Sequence, residues 1–507
     1  MQAPFERFAQ SYEAGTAQLL RQVLVGDCET PVAAFLKLRH ATTGPAFLLE
    51  SVEGGAVRGR YSMIGLEPDL IWRCHRGEAA LCRPALGDSF LTDPRPAFES
   101  LRSLLDESAI PDSEGAEGEK LPPMAAGVFG YLGYDMVRLM ERLAEPKETG
   151  TGVPDAILMR PTLMVVFDSV RDEIHVVTPV RAQPGIAARA AYEQAQERLD
   201  AVVMALEGPL PADAAIDIAN LPEPAIVSNT SEADFHAMVA TAQDYIRAGD
   251  IFQVVLSQRF EAPFQLPPFA LYRALRRVNP APFLCYLDFA DFQIVCSSPE
   301  ILVRLRDDTV TIRPIAGTRR RGATVAEDDA LAAELLADPK ERAEHLMLLD
   351  LGRNDVGRVA QIGSVKVTDS FFIERYSQVM HIVSNVEGTI DPQHDALAAL
   401  SAGFPAGTVS GAPKVRAMEI IDELERDARG AYGGCIGYFG ANGEMDTCIV
   451  LRTAVVKDER MHVQAGAGIV YDSNPASEQA ECVNKAKALF KAAEEAIRFA
   501  SRVGRGQ

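Results

Sequence analysis

Residues 405–414 read Pro405-Ala406-Gly407-Thr408-Val409-Ser410-Gly411-Ala412-Pro413-Lys414. This glycine-rich turn runs into a predicted helix at 413–425, and proline is favoured in the first turn of a helix. The start of a helix offers unpaired backbone N–H groups to an anion. The segment therefore predicts an anion-binding turn, although an ordinary tight turn can have the same composition.

The segments on both sides of this turn mix strands and helices. Downstream, strands are predicted at 435–439, 447–456 and 462–465, and a last helix at 477–499. Upstream, a helix at 231–247 with Ser231 as N-cap precedes strands at 252–260, 283–289, 293–297 and 310–315, and Pro339 separates helices at 326–336 and 340–351. Because strands and helices do not alternate strictly, the pattern predicts an α+β protein rather than a doubly wound one.

Length and charge limit the domain number and the partners. A chain of 507 residues predicts two domains, since single cores stop growing near about 250–300 residues. The Pro- and Ala-rich segment 208–228 is typical of a connection, so we predict domains at 1–225 and 226–507. The net charge of -21 argues against nucleic acid and anionic membrane surfaces, which bind clustered Lys and Arg.

Cysteine use indicates the compartment. The eight cysteines include no Cys-x-x-Cys pair, and the first twenty residues lack the apolar stretch of a signal peptide. Dispersed thiols of this kind predict a reduced, cytoplasmic protein. The sequence contains no run of about 18 apolar residues, so no membrane span is predicted.

Two pairs of glutamates are spaced three residues apart on predicted helices. Glu341 and Glu344 lie on one helix, and Glu478 and Glu481 lie on another. This spacing places both carboxylates of a pair on one helix face. If the two faces meet, they offer oxygen ligands only, which suits Mg²⁺. The same spacing is common on solvated helices, so a surface role stays open.

A second glycine-rich segment, 464–468, reads Gln-Ala-Gly-Ala-Gly and predicts a second turn beside polar groups. It lacks the third glycine of G-x-G-x-x-G and opens no helix, so dinucleotide binding is rejected. Residues 433–437 match the G-x-C-x-G of glutamine amidotransferases, but Phe439 stands where those proteins usually have Gln. We therefore interpret Cys435 as a buried strand residue.

His381 is typical of a core histidine, and Arg452 needs an anionic partner if it is buried.

Six segments in this order resemble the chorismate-utilising enzyme family. They are 313–319, 344–355, 405–414, 432–434, 464–470 and 481–486, and they extend over roughly residues 230–500. The resemblance implies an α/β sandwich of two large, mostly antiparallel sheets packed together with helices outside. It also implies a lyase that adds ammonia at C2 of chorismate, removes the C4 hydroxyl and eliminates pyruvate, giving anthranilate for tryptophan biosynthesis.

The resemblance assigns roles position by position. Glu344 and Glu481 would bind Mg²⁺, with Glu341 and Glu478 nearby or acting through water. Glu300 would protonate the departing hydroxyl, and His381 would lie beside the ring. The implied substrate-binding residues are Gly317, Thr318, Thr408, Tyr432, Arg452, Gly466, Gly468 and Lys485.

Two positions favour ammonia and anthranilate over other outcomes in this family. Relatives that add water have a lysine base at the position of Gln253, and relatives that stop at aminodeoxychorismate have a lysine at the position of Ala316. An aminodeoxychorismate synthase without that lysine, or a catalytically silent tryptophan sensor, stays as an alternative. Since every acid, base and metal position is filled, the sensor is disfavoured.

The resemblance also implies regulation and a partner. Leu-Leu-Glu-Ser at 48–51 and Asn-Pro-Ala-Pro-Phe at 279–283 resemble elements that bind inhibitory tryptophan, although Phe283 departs from the usual Tyr. The implied inhibitor residues are Glu50, Ser51, Pro282, Phe283, Leu284, Ile436 and Tyr438. Ammonia would come from a separate glutamine amidotransferase subunit, in a heterotetramer of two large and two small subunits.

Overall fold

The computed structural model describes residues 4–51, 59–110, 121–148, 150–211, 225–376 and 379–500. Its α-helices are α1 Pro4–Glu13, α2 Pro31–Ala41, α3 Ala97–Ser108, α4 Ala188–Glu207, α5 Glu232–Ala248, α6 Pro268–Val278, α7 Val325–Ala337, α8 Pro339–Gly357, α9 Ala396–Gly403, α10 Lys414–Leu424 and α11 Pro475–Ala500. Most of the predicted interdomain connection, residues 212–224, lies outside the described residues.

The strands come from all parts of the described chain. They are β1 Gln18–Val25, β2 Ala46–Glu50, β3 Tyr61–His75, β4 Glu78–Cys82, β5 Leu91–Thr92, β6 Gly127–Leu132, β7 Ala156–Asp168, β8 Glu173–Val180, β9 Val227–Ser228, β10 Gln253–Pro263, β11 Phe283–Asp288, β12 Gln293–Ser298, β13 Ile301–Arg306, β14 Thr309–Ile312, β15 Ile315–Arg320, β16 Lys366–Arg375, β17 Val379–Thr389, β18 Gly411–Ala412, β19 Cys435–Gly440, β20 Met445–Ile449, β21 Thr453–Lys457 and β22 Arg460–Ile469.

Antiparallel pairing joins these strands into one network with two arms that meet at β7. The first arm runs β7–β6–β19–β20–β13–β14–β17, and β15 and β16 also pair with β17. The second arm runs β7–β3–β2–β11–β12–β21–β22–β10. The predicted α+β class with mostly antiparallel sheets is confirmed, and the two sheets are continuous through β7.

The two arms pack face to face. Phe47 of the second arm stacks on Phe129 of the first, with 4.7 Å between ring centroids. Strand β2 is buried on both faces, as its unbroken run Ala-Phe-Leu-Leu predicts. Leu49 joins the cluster between the arms, whereas Leu48 joins the cluster under helices α2, α4 and α11. The helices therefore cover the outside of the sheet layers.

Helix ends follow the local sequence signals. Ser231 caps α5, since its side chain accepts a hydrogen bond from the Asp234 N–H at 3.1 Å. Gly249 ends the same helix in the left-handed conformation. The prediction that Pro413 lies within the first turn of α10 is wrong by one residue, because Pro413 is the N-cap. Helix α8 is longer than predicted and ends at Gly357.

Two predicted strands are each divided in the structure. The strand predicted at 310–315 is β14 followed by β15, because Pro314 has no N–H to donate to the ladder of β17. The strand predicted at 447–456 is β20 followed by β21, and the break includes Arg452 with a φ of +48°. The predicted turn at 464–468 is wrong, since these residues belong to β22 and pair with β10.

The helices within the described ranges include none that is both long and apolar enough to cross a bilayer.

Candidate functional site

A buried acid lies between the two halves of the fold. Glu300 sits between β12 and β13, and the hydroxyl of Thr408 donates a hydrogen bond to its Oε1 at 3.2 Å. Burial raises the pKa of Glu300 to about 8, against smaller opposing effects of Thr408 and the positive charge of Arg452. The carboxyl is therefore mostly protonated at neutral pH, as a general acid requires.

His381 lies on β17, opposite Thr318 of β15. Its Nδ1 lies 2.8 Å from the carbonyl oxygen of Gly317 and 3.1 Å from the hydroxyl of Thr318. Burial lowers the pKa of His381 to about 4, so the ring is neutral at pH 7. Because a carbonyl oxygen only accepts, the proton resides on Nδ1 and the lone pair on Nε2.

The two predicted acidic helix faces do converge. Glu344 of α8 accepts a hydrogen bond from the Gln253 amide at 3.2 Å. Burial raises the pKa of Glu344, and the negative charges of Glu341 and Glu481 raise it further. Burial likewise raises the pKa of Glu478, with a smaller contribution from Glu481. The carboxylates of α8 and α11 are thus close enough for their negative charges to repel each other.

Two of these carboxylates have cationic partners in the structure. Lys485 pairs with Glu481 at 2.7 Å, and Arg319 pairs with Glu341 at 3.0 Å. Glu344 has only the neutral amide of Gln253 as a hydrogen-bond partner among the described residues. A buried carboxylate whose ionised form is opposed by two like charges is stabilised by a cation. The donor set therefore fits Mg²⁺, which binds to one or two carboxylates and keeps several waters.

Two glycines of β22 allow other predicted residues to come close. A Cβ on Gly466 would lie 2.8 Å from the Tyr432 hydroxyl, and a Cβ on Gly468 would lie 2.7 Å from the Gln253 amide nitrogen. Lys485 donates to the carbonyl oxygen of Gly466 at 2.8 Å. Glycine within a strand is typical of such close approach. Here the two glycines leave space for the side chains of Tyr432 and Gln253 and do not form a turn.

Arg452 supplies a cation to this region. Its side chain makes no hydrogen bond or ion pair with any residue in the part of the chain that the structure describes. Burial lowers its pKa, whereas the nearby groups of Tyr376 and Glu300 raise it. A half-buried guanidinium that makes no hydrogen bond or ion pair with the described residues is suited to a carboxylate, which it can bind through two parallel hydrogen bonds.

A separate cavity of about 380 Å³ lies between the arms. Six of the seven predicted inhibitor residues line it, namely Glu50, Ser51, Pro282, Phe283, Ile436 and Tyr438. The structure does not bring Leu284 to the cavity. Successive side chains of a strand point to opposite faces, and Leu284 is fully buried in the cluster beneath the outer helices.

The carboxylate of Glu50 is already engaged at the edge of this cavity. Tyr272 donates a hydrogen bond to it, and Arg276 binds both of its oxygens at 3.0 and 3.1 Å. Sequence reasoning missed the arginines that also line the cavity, which are Arg60, Arg304, Arg306 and Arg313. The period-two spacing of Arg304 and Arg306 in the apolar strand β13 is a signal that could have identified two of them.

The structure places Cys435 in β19, fully buried. Burial raises the pKa of its thiol to about 12, so the reactive thiolate is strongly disfavoured. The interpretation of Cys435 as a strand residue is confirmed.

Comparison with known proteins gives a consistent result. The sequence profile of chorismate binding enzymes matches residues 75–491. The chain is 56% identical to anthranilate synthase component 1 of Cereibacter sphaeroides over 99% of both chains, and 47% identical to that of Pseudomonas putida over 92% of this chain and 93% of the relative. The crystal structure of anthranilate synthase component I from Streptococcus pneumoniae is 37% identical, with a TM-score of 0.74, over 92% of this chain and 99% of that one. The isochorismate synthase MenF of Escherichia coli, 19% identical with a TM-score of 0.69, shares the fold.

Proposed function

We infer, from the fact that this chain belongs to the family of chorismate-binding enzymes, that it is a lyase that converts chorismate to anthranilate. The observation that carries this proposal is the 56% identity, over 99% of both chains, to an anthranilate synthase component 1. The overall reaction balances, because chorismate and ammonia give anthranilate, pyruvate and water. Ala316 and Gln253, which stand where other family members have lysine, support this outcome.

The first half of the reaction replaces a hydroxyl by an amine. Ammonia adds at C2 of chorismate, and Glu300 gives its proton to the C4 hydroxyl, which leaves as water. Glu300 is suited to this step because it is buried and has a pKa of about 8. The Gln253 side-chain oxygen is buried without a hydrogen-bond partner among the described residues, so it can accept a hydrogen bond from the incoming ammonia.

The second half makes the ring aromatic. The proton at C2 is removed, and the bond from C3 to the enolpyruvyl oxygen breaks to release pyruvate. His381 is suited to support this step, because it is neutral and its Nε2 carries a lone pair. Arg452 and Tyr432 bind the enolpyruvyl carboxylate, and Lys485 and the glycines of β22 shape the pocket for the ring.

Mg²⁺, held by Glu344 and Glu481, would supply positive charge to the ring carboxylate of the substrate. Glu341 and Glu478 add negative charge around the ion. The buried environment of Glu344 and the like charges around it support this assignment.

Ammonia is proposed to come from glutamine through a separate amidotransferase subunit, in a complex of two large and two small subunits. Of the eight cysteines, all of which are described, only Cys28 is exposed. The buried Cys435 lacks the properties of a glutaminase nucleophile. A second protein is therefore needed for activity with glutamine, whereas free ammonia suffices in its absence.

The proposal is tested with the purified chain, chorismate, Mg²⁺ and an ammonium salt at mildly alkaline pH. We expect anthranilate fluorescence to appear, with one pyruvate formed for each anthranilate. Omission of the ammonium salt and of Mg²⁺ provides the two controls. Chromatography showing aminodeoxychorismate without pyruvate would contradict the proposal, and so would unchanged chorismate.

The cavity between the arms is proposed to bind L-tryptophan as a feedback inhibitor. Glu50 offers its carboxylate to the ammonium group, while Met63, Ile436 and Tyr438 provide apolar surface for the indole ring. An arginine at the cavity wall, such as Arg306, is suited to the tryptophan carboxylate.

The Glu50→Gln variant tests this assignment. A hydrogen bond to a charged group contributes about 1.5–3 kcal/mol, so the tryptophan concentration for half-inhibition is expected to rise by about 10- to 100-fold. The amide oxygen can still accept from Tyr272 and from the Nε–H of Arg276, whereas the second hydrogen bond from Arg276 is lost. Inhibition of anthranilate formation by tryptophan is measured in both proteins.

Asp288→Asn is the matched control, because Asp288 pairs with Arg39 at 3.1 Å at the far end of β11. This variant is expected to keep the inhibition of the parent protein. Equal tryptophan sensitivity of the Glu50→Gln variant and the parent would remove Glu50 from the inhibitor site.

A further inference from the structure

Three thiols from different strands meet between the arms of the sheet. Cys285 of β11 and Cys296 of β12 are directly opposite each other in the second arm, and Cys448 lies on β20 in the first arm. The three sulfur atoms all lie within 4.8 Å of one another. We propose that Cys285, Cys296 and Cys448 bind one soft, thiophilic cation of low coordination number, such as Cu(I).

The distances suit three bonds from sulfur to one ion. At a metal–sulfur distance of about 2.3 Å, trigonal coordination places the sulfur atoms about 4.0 Å apart. The observed upper limit of 4.8 Å therefore requires only small side-chain movements. The side chains are held by three ladder-paired strands, so the sulfur atoms are gathered before any ion binds.

The sulfur ligands of this cluster determine which class of metal ion it can bind. The cluster contains three sulfurs, and no histidine or carboxylate within the described ranges completes a four-ligand set around them. Zn²⁺ in structural sites requires four ligands in tetrahedral geometry, whereas thiolates alone favour soft ions such as Cu(I). Mg²⁺ is excluded from this cluster, since it requires oxygen ligands.

The cavity between the arms gives an ion access to the cluster. Cys285 and Cys448 line the cavity between the arms, and Cys296 lies behind them, fully buried. Four arginines and the acidic residues Glu50 and Asp446 line the same cavity. Each thiol that coordinates releases its proton to solvent, and no electron is transferred.

The first test uses the unaltered protein without oxygen, with Cu(I) supplied from a competing chelator. We expect one Cu(I) to be retained by each chain. Alkylation by iodoacetamide, followed by mass spectrometry, is expected to slow at least tenfold at Cys285 and Cys448 when Cu(I) is present. Cys28, which is exposed, serves as the internal control and keeps its rate. Retention of no Cu(I), or an equal loss of reactivity at Cys28, would overturn the proposal.

Two serine variants provide the second test. Cys296→Ser removes one ligand and is expected to weaken Cu(I) retention at least tenfold. Cys74→Ser is the matched control, because Cys74 is also fully buried in a strand but lies outside the cluster. Equal retention by the Cys296→Ser and Cys74→Ser variants would overturn the assignment. If Cys296→Ser fails to fold, the alkylation result on the unaltered protein decides the question, and it is independent of the proposed reaction.

Discussion

We expect the Glu300→Gln substitution to lower kcat for chorismate consumption by about 10²- to 10⁴-fold, the usual contribution of a positioned general acid. Glutamine keeps the shape of the side chain and can still accept the hydrogen bond from Thr408. It has no proton to give to the departing hydroxyl. The measurement is kcat with saturating chorismate, Mg²⁺ and ammonium salt.

The pH dependence distinguishes an acid from a merely structural residue. Since burial raises the pKa of Glu300 to about 8, the protonated, active form predominates below this pH and is lost above it. At a constant concentration of free ammonia, the activity of the unaltered protein should therefore fall as pH rises through about 8. The Glu300→Gln variant should lack this fall.

Glu419→Gln is the control for Glu300, since Glu419 is an exposed carboxylate on α10. Its kcat and pH profile are expected to match those of the unaltered protein. Substantial activity in the Glu300→Gln variant, with the fall near pH 8 retained, would show that another group supplies the proton.

The Glu344→Gln substitution is expected to lower kcat/KM for chorismate by about 10³-fold. A metal that polarises a substrate oxygen contributes several kcal/mol, and each 1.36 kcal/mol corresponds to about a factor of ten. Glutamine removes the negative charge of Glu344 from the group of carboxylates that α8 and α11 supply, so the Mg²⁺ concentration for half-maximal activity should rise at least tenfold. Activity is measured as a function of Mg²⁺ in both proteins.

Glu494→Gln is the matched control for Glu344, because Glu494 is exposed on α11. We expect its Mg²⁺ dependence to be unchanged. A Glu344→Gln variant that shows normal activity at the same Mg²⁺ concentration would exclude Glu344 as a metal ligand.

Elements with strong local signals were predictable from the sequence. Helix α5 has a capping serine and a terminal glycine, and its predicted and observed bounds differ by one residue at each end. The divided strands were not predicted, because Pro314 and the left-handed Arg452 act within otherwise strand-like runs. The glycines of β22 were assigned to a turn because composition alone cannot reveal the Tyr432 hydroxyl beside Gly466.

The site residues show a similar division. The shared position of the α8 and α11 carboxylates was predictable from the motifs, because carboxylates spaced i,i+3 lie on one face of a helix. The face to which a strand residue points depends on register, and Leu284 lies on the side opposite to its neighbour Phe283. Cys448 is distant in sequence from Cys285 and Cys296, and only the pairing of β11 with β12 and the packing of the arms bring the three thiols together.

Three consecutive residues after β12, Pro299, Glu300 and Ile301, connect the cavity between the arms with the buried acid Glu300. Pro299 and Ile301 line the cavity, whereas Glu300 between them contacts Thr408 on the catalytic side. A ligand that shifts this short backbone segment therefore acts on both places at once. Thermodynamic linkage then makes the effect mutual: if an occupant of the cavity weakens chorismate binding by a given factor, chorismate must weaken the binding of that occupant by the same factor. Accumulating substrate would in this way release a ligand bound in the cavity.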